Sequence, residues 1–167
     1  QEKVRAFVAG GGGFVGVGEP TACAGDGRFF RLADVLGVDE ERGLTLNTDK
    51  YNIRAEEGHF IFEDTPAPDY GEGKKNIFAL PSAKVLDIVF SDRFTRSVNV
   101  GEVRAAANVY GKGRSFYITG LPYSFENARL LYRALLWVTR KEEYVHRIFS
   151  TNVKTDCHFY AESGEYA

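Results

Sequence analysis

Val4-Arg5-Ala6-Phe7-Val8-Ala9-Gly10-Gly11-Gly12-Gly13-Phe14-Val15-Gly16-Val17-Gly18 is the stretch on which the fold turns. Two readings of it compete. Gly11-x-Gly13-x-x-Gly16 matches the dinucleotide fingerprint, which works only as strand, glycine turn and helix, with the helix N-terminus facing a pyrophosphate. The other order is helix, glycine stop, strand. Val4, Phe7 and Val8 stand at i, i+3 and i+4, the spacing of a helical apolar face. Adjacent Phe7 and Val8 fit strand alternation less well. A glycine just after the last apolar residue is a usual helix stop. Downstream, Glu19-Pro20 and then Gly25 and Gly27 leave no room for the long helix that the fingerprint needs. Residues 2–9 are therefore read as the last turns of a helix. Gly10, Gly11 and Gly12 form a structural turn, and Phe14 to Gly18 a buried strand. No cofactor is expected.

Working outward, Phe29, Leu32, Ala33 and Leu36 have helical spacing over 28–36, and Gly37 ends that run. Phe60-Ile61-Phe62 reads as strand, broken by Pro66 and Pro68. Asp64 to Lys75, rich in proline, glycine and charge, reads as a surface loop. Strands are expected over 76–80 and 85–90. Two more strand-like runs, 103–110 and 115–119, flank Gly111-Lys112-Gly113, where Gly111 and Gly113 are the structural turn of a β-hairpin. Ser124 then caps a helix, with Glu126 in its first turn. Leu130, Leu131, Ala134, Leu135 and Val138 form that helix's apolar stripe. This order suits an α/β sandwich, a mostly parallel sheet with one antiparallel hairpin.

Composition narrows the function. At 167 residues the chain can bury a real core. A net charge of −2 gives no footprint for nucleic acid. No apolar run is long enough to span a membrane, and no secretory signal leads the chain. Cys23 and Cys157 lie far apart, in no metal-ligand spacing, and read as reduced thiols of a cytoplasmic protein. Gln1 at the start, the absence of Met and an unpunctuated end at Ala167 read as cuts through a longer protein.

Chemistry is sparse. Cys23 lacks the glycine-flanked elbow of a nucleophile, and His59, His146 and His158 stand in no metal or catalytic spacing. Glu19 and Asp49 are candidate carboxylates without a diagnostic partner. Topology is a better guide, because ligand contacts in open α/β sheets collect at the carboxyl ends of strands. That places Gly18, Glu19 and Thr21 after one strand, and Tyr123 and Ser124 after another, on a common rim. The helix opening at Ser124 adds amides suited to an anion.

The runs Gly10–Ala22, Leu32–Val38, Thr48–Asn52, Tyr110–Arg114 and Gly120–Arg133 together resemble the galacto-N-biose/lacto-N-biose phosphorylase family, in order and over nearly the whole chain. The resemblance implies an inverting phosphorylase. Such enzymes convert a β-1,3-linked galactosyl-N-acetylhexosamine and inorganic phosphate to α-galactose 1-phosphate and free N-acetylhexosamine. It also implies a noncatalytic central domain over 1–155 and the start of a C-terminal β-domain over 156–167. The central fold would be a three-layer, class I glutamine amidotransferase-like (flavodoxin-like) sandwich. Its partners would be the barrel domain of the same protein, which carries the general acid, and a second copy in a homodimer. No catalytic residue carries over, because the barrel's acid has no counterpart here and the amidotransferase nucleophile is missing from its motif. The role left is scaffold, active-site closure or dimerisation. Two other readings compete, a stand-alone cysteine hydrolase or amidotransferase using Cys23, and a pure oligomerisation domain.

Overall fold

The computed structural model describes residues 1–19, 30–40, 55–90 and 101–146, with the backbone of 161–162 and 165–166. Helix α1 (Glu2–Ala9) stops at Gly10, whose N–H bonds back to Ala6 O at 3.0 Å. Gly11 and Gly12 donate to Val8 O and Phe7 O, closing the last turn. Gly11 sits at φ +117, a conformation that side chains rarely adopt. Strand β1 (Gly13–Val17) follows at once. The glycines thus follow a helix and precede a strand, the reverse of the fingerprint order.

Helix α2 (Ala33–Leu36) is capped by Gly37 at φ +72, as its position after the apolar run predicts. The helix is shorter than its spacing suggests, because Phe30 to Leu32 stay outside it; Arg28 and Phe29 lie outside the described residues. Strand β2 (Val38–Glu40) pairs antiparallel with β3 (Ile77–Ala79). Between them, Phe60–Phe62 is a turn of 3-10 helix rather than the expected strand. His59 Nδ1 accepts from Ile61 N there, and three residues are too few for an apolar period to distinguish the two forms.

The main sheet adds β4 (Lys84–Phe90), β5 (Gly101–Tyr110) and β6 (Gly113–Ile118), in the order β1-β6-β5-β4. Strands β5 and β6 form the expected hairpin, turning through Gly111 at φ +61. The expectation of a mostly parallel sheet is corrected among the described residues. Only β1 and β6 pair in parallel, while β4–β5 and β5–β6 are antiparallel. The reason is connection length. A parallel neighbour needs a crossover of about a dozen residues or more, and neither the turn at Gly111 nor segment 91–100 is that long. A two-residue pair, β7 (Ala161–Glu162) with β8 (Glu165–Tyr166), lies near the end of the chain.

Both faces of the main sheet are covered. Helix α3 (Phe125–Val138) lays Leu130, Ala134, Trp137 and Val138 on Ala105, Ala107, Phe116 and Ile118. On the other face, Val8 of α1 and Val35 and Leu36 of α2 pack with Val103, Ala106 and Tyr117. Each Val, Leu, Ile or Phe side chain among these contributes about 1.5–3 kcal/mol when fully buried. Two buried polar groups register α2 on the sheet. Asn108 Nδ2 donates to Val35 O at 2.8 Å, and Ser115 Oγ donates to the same carbonyl.

The stripe expected on α3 needs correction at two places. Leu135 is 49% exposed, whereas Arg129 and Arg133 are buried. Both guanidinium groups reach Asp64, at 2.7 and 2.6 Å. A long cation is buried only where a carboxylate meets it, and Asp64 arrives from a loop far along the chain.

Candidate functional site

The parallel pairing of β1 and β6 sets Val17 opposite Ile118. Both strands therefore send their carboxyl ends to one edge. Gly18 and Glu19 leave the sheet there, beside Thr119 and Gly120. The loop before β3 joins them, since Lys74 N donates to Thr119 O at 2.8 Å.

Lys74 organises this rim. Its ammonium reaches Glu19 at 2.6 Å and Glu40, at the end of β2, at 2.8 Å. Glu40 is almost fully buried. Burial opposes the charge on Lys74, yet the hydrogen bonds to Glu19 and Glu40 prevail and raise its pKa. Near the pair lies Tyr117 of β6, fully buried, its hydroxyl without a hydrogen-bond partner among the described residues. Burial, then the charges of Glu40 and Glu19, push that phenol up.

The second half of the rim is the loop entering α3. Ser124 is extended, at φ −150, and its Oγ accepts from Asn127 N at 3.0 Å. Asn127 Nδ2 in turn donates to Pro122 O and Asp69 O, tying this loop to the one before β3. Gly120 permits the approach, because a Cβ there would stand 2.2 Å from Tyr70 O. Tyr123 is 98% exposed.

The structure sorts the residues expected at the rim. Glu19 is engaged by Lys74, Ser124 by its cap, and Gly18 makes the turn at φ +57. Tyr123 projects freely. Thr21, Cys23, Asp49, Cys157 and His158 lie outside the described residues. His59 packs edge-on against Trp137 and His146 stacks on Tyr132. Burial lowers the pKa of His59. Among the described residues no group of three His, Cys, Asp or Glu side chains is placed to hold a metal. No described helix is long and apolar enough to cross a membrane.

Sequence reasoning missed Lys74, Glu40, Tyr70 and Arg104. Lys74 stood in a loop read as surface, and its two carboxylates come from distant elements. Beside Lys74 opens a cavity of about 320 Å³, lined by residues that include Tyr70, Lys75, Glu102, Arg104 and Thr119.

Known proteins match this chain over one part of their length. Residues 1–143 match the family described as the lacto-N-biose phosphorylase central domain. A 1,3-β-galactosyl-N-acetylhexosamine phosphorylase of Lachnoclostridium phytofermentans is 46% identical over 164 residues, which are 98% of this chain and 21% of that protein. The enzyme of the same name from Bifidobacterium longum subsp. longum is 37% identical over 198 residues, 99% of this chain and 25% of that protein. The chain thus spans about a fifth to a quarter of these relatives. A solved cold-adapted β-galactosidase from Rahnella sp. R3 aligns with 83% of this chain and 20% of its own, at 23% identity and a TM-score of 0.49.

Proposed function

The chain belongs to the family of lacto-N-biose phosphorylase central domains, and from that premise we propose that it is the noncatalytic central domain of an inverting glycoside phosphorylase. The reaction converts a β-1,3-linked galactosyl-N-acetylhexosamine and inorganic phosphate to α-galactose 1-phosphate and N-acetylhexosamine. A carboxylic acid of the barrel domain protonates the leaving oxygen, while phosphate attacks from the opposite face in place of the water of an inverting hydrolase. We take the fold as three-layer and amidotransferase-like, which helices on both faces of the main sheet support. The cytoplasmic setting read from the two widely spaced cysteines belongs to the same proposal.

The role we assign is closure of the barrel's active site by the rim. A phosphorylase has a particular need for closure, since water competes with phosphate for the same carbon and a sealed site excludes it. The observation that carries this reading is Tyr123, a large aromatic that is 98% exposed at the tip of a loop otherwise pinned by Asn127 and capped by Ser124. A rigid loop presenting an aromatic residue is suited to contact a neighbouring surface.

The test is kinetic and uses the full-length enzyme. Tyr123→Ala removes an exposed side chain, so folding and melting temperature stay as they are. The apparent KM for phosphate or disaccharide rises, and free galactose from hydrolysis increases relative to galactose 1-phosphate. Unchanged kinetics and an unchanged product ratio in the folded variant would sink closure by this loop.

A further inference from the structure

The cavity beside Lys74 has no role in the closure just described. Its volume, about 320 Å³, falls at the small end of ligand pockets, which span about 300–1,000 Å³. Its charges balance. Lys75 and Arg104 line it together with Asp69 and Glu102, and Lys74 is already matched by Glu19 and Glu40. Neither the Lys75 nor the Arg104 side chain makes an ion pair or hydrogen bond among the described residues. Arg104 instead lies over the Tyr70 ring, its Cζ 5.1 Å from the centroid. The two carboxylates are half-used. Asp69 Oδ1 accepts from Gly71 N and Glu102 Oε1 from Asn76 N, each at 2.8 Å, leaving the second oxygen of each to accept.

The cavity therefore offers uncommitted cationic donors beside uncommitted carboxylate acceptors, with Pro68, Tyr70 and Val89 as apolar wall. A phosphate would gain the two cations but meet the two carboxylates. Neighbouring hydroxyls of a sugar, each able to donate and accept, use both kinds of group. The carbon face of the ring uses the apolar wall. We propose that this cavity is a binding subsite for a neutral pyranose unit, outside the barrel. The choice of galactose as the sugar to test rests on the phosphorylase reading above.

The experiment uses the full-length protein and a β-galactoside with a diazirine aglycone, with cross-linked peptides mapped by mass spectrometry. Label is expected within 68–75 or 101–119, and excess galactose protects. In Arg104→Ala, and separately in Glu102→Gln, label in those peptides falls about tenfold, as loss of one charge-assisted hydrogen bond predicts. Lys75→Ala, an exposed position, gives a loss in the same direction without risk to folding. Absence of label there overturns the subsite, as does label that galactose fails to displace. Protection by inorganic phosphate but not galactose also overturns it, in favour of an oxyanion. Phosphorolysis by the same preparation reports separately on the proposed function. An active enzyme without label at this cavity refutes the subsite alone, and an inactive one that carries galactose-protected label refutes the phosphorylase reading alone.

Discussion

Asp64→Ala should cost this chain more stability than any change at a comparably placed surface carboxylate. Asp64 receives Arg129 Nε at 2.7 Å and Arg133 Nε at 2.6 Å, and Arg133 Nη2 adds a bond at 3.1 Å. The side chains of Arg129 and Arg133 are 9% and 5% exposed, that of Asp64 16%. Removing one partner of a buried pair costs about 3–5 kcal/mol, because it strands the opposite charge. Arg133 keeps Phe60 O and Glu63, which moves the expectation to and just below the lower end of that range, about 2–4 kcal/mol. That corresponds to roughly 4–16 °C in melting temperature for a chain of this size. Glu63→Gln is the matched control. It contacts the same guanidinium at 2.7 Å but is 63% exposed, so it should cost about 0–1 kcal/mol. Urea unfolding read from Trp137, the chain's one tryptophan, measures both. The pH dependence adds a second signature. The Arg133 hydrogen bond, against burial and with help from Arg129, holds the Asp64 carboxyl below its ordinary value. The stability it contributes is present above the unfolded carboxyl pKa of about 3.9, and is lost as pH falls through the lower folded value. The variant should show a shallower loss below pH 4. Equal costs for Asp64→Ala and Glu63→Gln, or identical acid limbs, would refute the argument that burial decides the worth of these pairs.

Three further outcomes follow from the geometry. Ser124→Ala removes the cap that holds Asn127 N and should destabilise by about 1 kcal/mol, seen in the urea midpoint. Tyr117→Phe removes a buried hydroxyl that has no partner among the described residues; stability should hold or rise by about 1 kcal/mol, and a clear loss would reveal a bond at that oxygen. Gly113→Ala places a Cβ 2.1 Å from Val8 O and 2.4 Å from Gly12 O, so the hairpin and α1 cannot both keep their positions, and circular dichroism should show loss of folded protein.

The features legible in the sequence were those set by neighbours along the chain. A glycine after an apolar run marks a helix end, glycines between two strand-like runs mark a hairpin, and Ser124 before a helical stripe marks a cap. Each rule acts over a few residues, and each element stands where its rule put it. Strand direction was different, because it depends on whether a connection is long enough to cross over, and the one parallel pair spans most of the described chain. The burial of Arg129 and Arg133 was hidden for a related reason. Their partner lies 65 and 69 residues away, and long cations read as solvent-facing until that partner is known. The rim residues were partly legible. Topology pointed to Glu19 and Tyr123, but Lys74, which holds Glu19 to Glu40, gave no local sign.

The two edges of the main sheet differ in how much added chain they could absorb. At one, the end of α1, the start of β1, the hairpin and the end of α3 meet with no room for a single methyl group at Gly13, Gly111 or Gly113. Arg140 Nη2 clasps Lys112 O across the same junction. An inserted peptide at Lys112 has to force four elements apart. At the other edge, an insertion beside Tyr123 enters open solvent, where loop tips commonly accept grafts. A reporter or affinity tag spliced at Tyr123 should therefore leave the domain folded, while the same tag at the hairpin should not. Sequence length among relatives should stay constant at the hairpin, where an added residue meets Val8, Ala9 and Gly12.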